Sequence, residues 1–463
     1  MKKIAFFCIP AHGHTNPMLP VAKELVDRGD EVRFYSFDQF GEKIKATGAE
    51  FISCTKYLPE ITKEQEEKLR NVSNTEMTIQ DIRTTLKMND FLEKEFSEFK
   101  PDVVYCDSVC FWGKLNAWKH SVPLVVSTST FAFNQLSSKY MKHSASEMGD
   151  MIFGLSKISK EVKTLEPYGY KIKRTLDLVQ SDNKTDSIVY TSRRFQPYSE
   201  SFSNHYAFIG PSVFSRAKPA KDKERKLVYI SLGTVINDRP DFYGSCVKAL
   251  GGMDVDVIIS CGDTFDQKSL GTLPDNIKID PRVDKLDVLS RADAFITHCG
   301  MNSVSESLYM ATPMVLYPQT AEQNAVASRA MEIGAGVMLS DDSADGIKKA
   351  VSEILNNSSY SEGAKKCSDD FRSCGGTAAA AEFIENAPHK SDGVDVLQEL
   401  NKENGKFQFF YWLVIIAAIL LVGFLVSWKF VWIIGVAGGV LSYPIGQTAQ
   451  KFLYKKVVKK LNK

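Results

Sequence analysis

The chain has 463 residues, a formal net charge of +1 and nine cysteines. This length predicts two or three domains, and the near-zero charge argues against nucleic acid as a partner. The cysteines lack Cys-x-x-Cys spacing, which favours a reducing compartment over a disulfide framework. A short apolar run directly follows Met1-Lys2-Lys3 and ends at Pro10, so we expect no signal peptide and a cytosolic catalytic part.

Residues 1–214 predict a doubly wound α/β domain. A strand over 4–9 leads into the polar turn Pro10–Pro17, and a helix over 18–28 leads into a strand over 31–37. Further strands are predicted over 102–106, 122–127, 188–191 and 207–210. Ligands of such sheets lie beyond the carboxyl ends of the strands, where this turn is placed. The turn lacks the Gly-x-Gly-x-x-Gly fingerprint, which disfavours a nicotinamide cofactor.

Three stretches differ from this strand-and-helix pattern. Residues 63–100 are charged and helix-forming, and we expect them to cover the sheet. Residues 130–185 are amphipathic and irregular, and they are interpreted as an acceptor-binding insertion. Residues 215–226 are basic, contain proline and are poor in apolar side chains. They predict an interdomain linker.

Residues 227–387 predict a second α/β domain. Its strands are predicted over 227–231, 255–260, 277–279, 293–297 and 314–317. The fourth leads through Thr297–Ser303 into a helix, and a strand–glycine–helix turn directs backbone N–H groups and the positive helix end at an anion. A helix over 371–386 is expected to return to the first half, and two successive halves imply a cleft. Asp254 and Asp256 resemble a metal-binding pair, but they begin a strand, so we interpret them as structural.

Residues 388–463 differ in composition from the two predicted α/β domains. A polar linker over 388–406 precedes two uncharged apolar segments, 407–426 and 430–450, each long enough to span a bilayer. The second contains Gly435-x-x-x-Gly439, a helix-packing pattern. The lysine-rich tail 451–463 should stay cytoplasmic. A cytosolic body and tail require an even number of crossings, which favours a hairpin; a single re-entrant unit is the alternative.

Four motifs carry a family resemblance: Ala11–Pro17 (AHGHTNP), Tyr105–Ser108 (YCDS), Ser231–Thr234 (SLGT), and His298–Ser303 (HCGMNS) continuing to Glu322-Gln323. In order and spacing, residues 1–387 resemble the family-1 UDP-glycosyltransferases, and among them the bacterial macrolide-glycosyltransferase subfamily. The resemblance implies the GT-B fold, with two Rossmann-like domains facing a cleft and the nucleotide sugar bound mainly by the second. The apolar segments are not part of that bacterial pattern.

The resemblance assigns catalysis to His14 and Asp107. The histidine before Asn-Pro would remove the proton of the acceptor hydroxyl, and the aspartate would orient its ring. An imidazole that is neutral near pH 7 suits this role. A carboxylate behind it selects the tautomer and stabilises the imidazolium. His12 competes by its proximity in the sequence, but the motif selects His14.

The resemblance also assigns the donor site. His298 would contact the pyrophosphate with Asn302 and Ser303 beside it, and Glu306 would accept hydrogen bonds from the ribose hydroxyls. Glu322 and Gln323 would hold sugar hydroxyls. The full set of expected donor-binding residues is Gly13, Ser231, Gly233, Thr234, Val283, His298, Gly300, Asn302, Ser303, Glu306, Glu322 and Gln323. No metal or cofactor is expected. The chain has Asp284-Lys285 where family members commonly have Pro-Gln, near the nucleobase.

The first functional hypothesis is an inverting transferase that moves a hexose from a UDP-sugar, with UDP-glucose as the default donor. The two apolar segments favour a membrane lipid or sterol-like acceptor, because an enzyme anchored in the membrane with cytoplasmic catalytic domains gains effective concentration over bilayer substrates. The same chemistry on a soluble macrolide or polyketide-type molecule is the near alternative. A sugar-nucleotide epimerase and a non-catalytic sugar-nucleotide-binding subunit remain as further alternatives.

Overall fold

The computed structural model describes residues 1–58, 73–172, 183–213, 219–220, 225–233, 237–262, 265–281, 283–393, 395–425 and 431–461. The chain divides into two compact units. The first unit comprises Met1–Pro197 and Ala207–His389, and the second comprises Tyr198–Tyr206 and Lys390–Lys463. Most of the predicted linker 215–226, together with Thr234, lies outside the described residues.

The first half of the first unit contains a seven-stranded sheet in the order β3-β2-β1-β4-β5-β6-β7. The strands are β1 Lys3–Phe7, β2 Glu31–Ser36, β3 Glu50–Ser53, β4 Val103–Asp107, β5 Leu124–Thr128, β6 Asp186–Val189 and β7 Tyr206–Phe208. Strands β1 to β6 pair in parallel. This confirms the predicted doubly wound sheet, although β3 was missed.

The helices of this half are α1 His12–Asp27, α2 Gly41–Lys45, α3 Asn74–Phe99, α4 Phe111–Lys119 and α5 Ala145–Val162. The predicted turn over residues 10–17 was wrong in extent, because α1 begins at His12. Pro17 lies inside α1 and has no N–H, so the carbonyl of Gly13 four residues earlier has no helical donor. Helix α3 covers part of the predicted helical region 63–100; residues 63–72 lie outside the described part. Helix α5 lies within the predicted irregular insertion.

The second half contains a six-stranded parallel sheet in the order β10-β9-β8-β11-β12-β13. The strands are β8 Lys226–Ser231, β9 Val255–Ile259, β10 Ile277–Ile279, β11 Ala294–Thr297, β12 Met314–Leu316 and β13 Gly336–Met338. The helices are α6 Pro240–Leu250, α7 Lys285–Arg291, α8 Met301–Tyr309, α9 Ala321–Glu332, α10 Ala344–Asn356, α11 Ser358–Ser373 and α12 Gly376–Glu385. Two parallel sheets in sequence confirm the predicted pair of Rossmann-like domains, and only β13 was missed here.

The predicted helix over residues 371–386 is in fact the end of α11 followed by α12. The break falls at Cys374 and Gly375, and the next residue, Gly376, has a φ of 59°, which is unfavourable for a residue with a Cβ. Helix α12 returns to the first half as expected: Ala380, Ala381 and Ile384 are buried in the same hydrophobic cluster as residues of β1 and β4. The last helix of the second half therefore contributes to the core of the first half.

The second unit contains two long helices, α13 Val396–Leu425 and α14 Val431–Leu461. They contact each other: the Tyr411 hydroxyl donates to the Gly438 carbonyl at 2.7 Å, and a Cβ on Gly438 would lie 3.0 Å from Ile415. Among the described residues, one helical stretch, Val396–Leu421, is long and apolar enough to cross a bilayer, with a mean hydropathy of 1.5. That finding concerns length and composition, and it leaves the two predicted membrane segments as a prediction.

Candidate functional site

The structure brings His14 and Asp107 together. Strands β1 and β4 are parallel neighbours, so the helix that follows β1 begins beside the carboxyl end of β4. His14 Nδ1 lies 2.7 Å from Asp107 Oδ2. The Asp107 carboxylate is fully buried, and its other oxygen accepts a hydrogen bond from the Val109 N–H at 3.0 Å. The carboxylate is thereby held in one orientation while the His14 side chain remains 28% exposed.

A third side chain, which the sequence did not predict, completes this arrangement. Ser129 Oγ lies 3.1 Å from the same His14 nitrogen, Nδ1. A carboxylate accepts hydrogen bonds only, so Nδ1 carries the proton, with Asp107 as its main acceptor and Ser129 as a second. The other ring nitrogen, Nε2, keeps its lone pair, as a general base requires. Ser129 follows β5, the strand beside β4. Its position at the same edge of the sheet as Asp107 was therefore the sequence signal that could have predicted it.

The pKa of His14 is set by opposing influences from both halves. Burial lowers this pKa, but the charge of Asp107, the hydrogen bond to Asp107 and the charge of Glu322 together raise it above its ordinary value. Glu322 is exposed in the first turn of α9 in the second half. His12, by contrast, is exposed and packs edge-on against the Phe40 ring. Of the two competing histidines, only His14 meets Asp107.

His298 lies against two glycines of the second half. A Cβ on Gly233, whose φ is 80°, would lie 2.6 Å from the His298 ring, and a Cβ on Gly300 would lie 2.5 Å from its Nε2. Both glycines therefore make room for the ring. Burial and the charge of Lys285 lower the pKa of His298 to about 4, so its imidazole is neutral near pH 7. Within the described part of the chain, buried His298 Nδ1 has no hydrogen-bond partner.

Asn302 connects the two halves at this site. It lies in the first turn of α8, and its side-chain Nδ2 donates to the Gly13 carbonyl at 2.9 Å. This is the carbonyl that Pro17 leaves without a helical donor, so the proline of the first motif frees the acceptor that the last motif uses. The N-termini of α1 and α8 are therefore adjacent. Gly13 and Asn302, both predicted in the donor site, are in direct contact.

Glu306 has a partner that the sequence did not predict. Lys285 Nζ, at the start of α7, lies 2.9 Å from Glu306 Oε2 and 3.3 Å from Ser303 Oγ. Two of the predicted donor-binding residues, Glu306 and Ser303, are therefore gathered around the lysine that departs from the family pattern. The adjacent Val283 packs on the hydrophobic cluster beneath α8.

Gln323 and Glu322 lie in the first turn of α9. Gln323 fixes this turn: its N–H donates to Thr320 Oγ1 at 3.2 Å, and its Oε1 accepts from the Gln319 N–H at 2.7 Å. Among the residues that the structure describes, the side-chain NH₂ of Gln323 and the carboxylate of Glu322 make no hydrogen bond. Away from the site, Arg225 pairs with Asp254 at 3.0 Å and with Asp256 at 3.1 Å. These surface ion pairs support the structural interpretation of the two aspartates.

Comparisons with known proteins agree with this geometry. The family model "Erythromycin biosynthesis protein CIII-like, C-terminal domain" matches residues 245–386. The NDP-glycosyltransferase YjiC of Bacillus licheniformis is 33% identical over 404 residues, covering 83% of this chain and 97% of the relative. The oleandomycin glycosyltransferase of Streptomyces antibioticus is 27% identical, covering 82% and 90% respectively. The crystal structure of the kitacinnamycin glycosyltransferase superposes with a TM-score of 0.70 at 25% identity, covering 83% of this chain and 98% of that one.

Proposed function

The chain belongs to the macrolide-type UDP-glycosyltransferases of family 1 and is a transferase, and from this premise we propose that it moves glucose from UDP-glucose to a hydroxyl of a hydrophobic acceptor with inversion. The observation that carries the proposal is the 2.7 Å contact between His14 and buried Asp107. Within the described residues no hydrogen bond is made to His14 Nε2, which is left as the base. The charge of Glu322 acts on this histidine, and Asn302 binds the carbonyl of the preceding residue, Gly13.

The proposed reaction is a single displacement. His14 Nε2 takes the proton of the acceptor hydroxyl while the oxygen attacks C1 of the sugar, and the C1–O bond to UDP breaks with its electron pair on the phosphate. The charge of the imidazolium is stabilised by Asp107. The charge that develops on UDP is met by the N-terminus of α8, which begins at Met301 behind Gly300 and His298. Attack opposite the leaving group inverts the anomeric carbon, and no metal is required in this scheme.

A membrane-associated acceptor is supported by the second unit. Its helix α13 exposes a run of large apolar side chains: Phe409, Phe410, Trp412, Leu413, Val414, Ile416, Leu420 and Leu421. We place this helix in a bilayer with the catalytic halves on the cytoplasmic side, where a lipid or sterol-like alcohol would be concentrated near the enzyme.

A soluble acceptor is the second candidate. It is favoured by the similarity to the oleandomycin glycosyltransferase over 82% of this chain. Both candidates use the same donor and the same base. They differ only in the phase from which the acceptor enters.

The test measures transfer of radiolabelled glucose from UDP-glucose by membranes that contain the protein, with and without added lipid extract. Label in the organic phase that depends on the extract supports the lipid acceptor, and label only in soluble products supports the alternative. His14→Ala should abolish transfer, whereas the matched His12→Ala variant should retain it. Donor turnover that survives His14→Ala would refute the base assignment.

A further inference from the structure

We propose that Lys285 makes the donor site tolerant of 2′-deoxyribose, so that the protein binds uridine and deoxyuridine diphosphates with similar affinity. The inference rests on the proposed function, because it takes Glu306 as the residue that meets the ribose. It goes beyond that function by naming the residue that sets which nucleotide sugars are accepted. The carrying observation is the ion pair between Lys285 and Glu306, at 2.9 Å.

The lysine is placed by the fold. Lys285 is the first residue of α7, whose N-terminus is fixed by Asp284 accepting from the Asp287 N–H at 3.1 Å. Val288 and Leu289 on the same helix are buried. The position of Lys285 therefore does not depend on a mobile loop. From there its ammonium reaches both Glu306 and Ser303 on α8.

The ion pair reduces the number of Glu306 oxygens that can accept hydrogen bonds from the ribose. A carboxylate without a protein partner accepts one ribose hydroxyl on each oxygen, and the 2′- and 3′-hydroxyls form such a pair. In this protein Oε2 of Glu306 is buried and forms an ion pair with Lys285 at 2.9 Å, although it makes no hydrogen bond within the described part of the chain. One oxygen, Oε1, therefore remains for the ribose, and the 3′-hydroxyl is sufficient to satisfy it.

Discrimination against an analogue that lacks a hydroxyl arises when a buried polar group of the site is left unpaired. Removing the 2′-hydroxyl leaves no uncompensated charge on Glu306, because the ammonium of Lys285, 2.9 Å away, already neutralises the buried Oε2. The ammonium also keeps its contact to Ser303 Oγ at 3.3 Å. The Lys285 side chain is one-third exposed, so its remaining donor can be solvated. The deoxyribonucleotide therefore loses little binding free energy relative to the ribonucleotide.

The experiment is calorimetric titration of the full-length protein in detergent with UDP and with dUDP, which differ only in the 2′-hydroxyl. For the natural protein we expect Kd values within about tenfold of each other, below the factor expected when a charged group loses a hydrogen bond. In the Lys285→Met variant Oε2 is freed, and the preference for UDP should rise to about tenfold to a hundredfold. Taking the ratio within each variant cancels any general change in phosphate affinity.

Two further variants serve as controls. Lys285→Arg keeps the ion pair and should keep the low ratio. Lys278→Gln removes a lysine on β10 that pairs with Asp280 at 3.4 Å on the surface, and it should also leave the ratio unchanged.

A ratio above about tenfold in the natural protein would overturn the inference, and this result needs no variant to fold. It would mean that Lys285 or Glu306 reads the 2′-hydroxyl directly. An equal ratio in Lys285→Met and in the natural protein would also overturn it, while UDP binding in both would leave the proposed function standing. Failure of both nucleotides to bind would overturn the proposed function and the inference together.

Discussion

The Asp107→Asn substitution separates the charge of the buried carboxylate from its shape. In the natural protein the 2.7 Å hydrogen bond fixes the proton on His14 Nδ1. An amide can donate to that nitrogen instead, which would move the ring proton to Nε2 and remove the lone pair that accepts the substrate proton. Since general-base catalysis contributes about 10²- to 10⁴-fold, we expect kcat to fall by a factor in that range, with little change in the KM for UDP-glucose.

The same substitution should shift the pH dependence of activity in a defined direction. Burial lowers the pKa of His14, and the charge and hydrogen bond of Asp107, with Glu322, raise it above its ordinary value. The base is active when neutral, so activity in the natural protein falls as pH drops through this raised pKa. Without the carboxylate charge, burial has the larger influence. The acid limb of residual kcat/KM should therefore move to lower pH.

The assay is the pH dependence of kcat/KM under saturating acceptor, for the natural protein, Asp107→Asn and Ser129→Ala. Ser129→Ala removes the second, 3.1 Å acceptor but keeps the carboxylate, so its loss should be much smaller and its acid limb close to the natural one. An Asp107→Asn variant with an undiminished plateau, or with an acid limb displaced to higher pH, would refute the assigned roles.

Three further predictions concern packing and charge. In Gly300→Ala the new Cβ would lie 2.5 Å from His298 Nε2. We therefore expect a destabilisation of about 1–3 kcal/mol in thermal melting and weaker UDP binding in calorimetry. The control Gly244→Ala, whose Cβ meets no described atom within 4 Å, should change neither the stability nor the UDP affinity. The pKa of His298, lowered to about 4, predicts that its ring resonances show neutral imidazole down to about pH 5 in an NMR titration; protonation near pH 6.5 would contradict the described burial. Gly438→Val should push the two long helices apart and lower the melting temperature in detergent, whereas Gly439→Val, with no described atom within 4 Å of its Cβ, should not.

Much of the fold was predictable because parallel strands buried on both faces are continuous apolar runs. Strand β4, whose five residues are all buried, is of this kind. The two strands that were missed are short and lie at the sheet edges: β3 has four residues, none of them buried, and β13 has three, beginning with Gly336. Edge strands with so few apolar residues have no periodicity to detect. Such strands are defined by their hydrogen bonds to a neighbouring strand, and the sequence does not show which strand that is.

The start of α1 illustrates a second limit. Two prolines and a glycine within residues 10–17 predict a turn by local propensity. The structure instead continues the helix from His12 through Pro17 and Pro20. The carbonyl left without a helical donor at Gly13 is satisfied by Asn302, which lies 289 residues later. A tertiary partner from the other half thus removes the cost that local rules assign to the proline, and no local window contains that partner.

The Lys285–Glu306 pair shows why the residues of a site are easier to predict than the contacts that their side chains make. The family resemblance selected Glu306, and the departure at Lys285 was visible in the sequence, but the two belong to different helices, α7 and α8, separated by strand β11. Only the fold brings the ammonium to 2.9 Å from the carboxylate. A carboxylate with a lysine on one oxygen has a different binding capacity from a free one, although its position in the motif is the same. Donor selectivity in this site therefore depends on a pair of side chains, and the motif residue alone does not determine it.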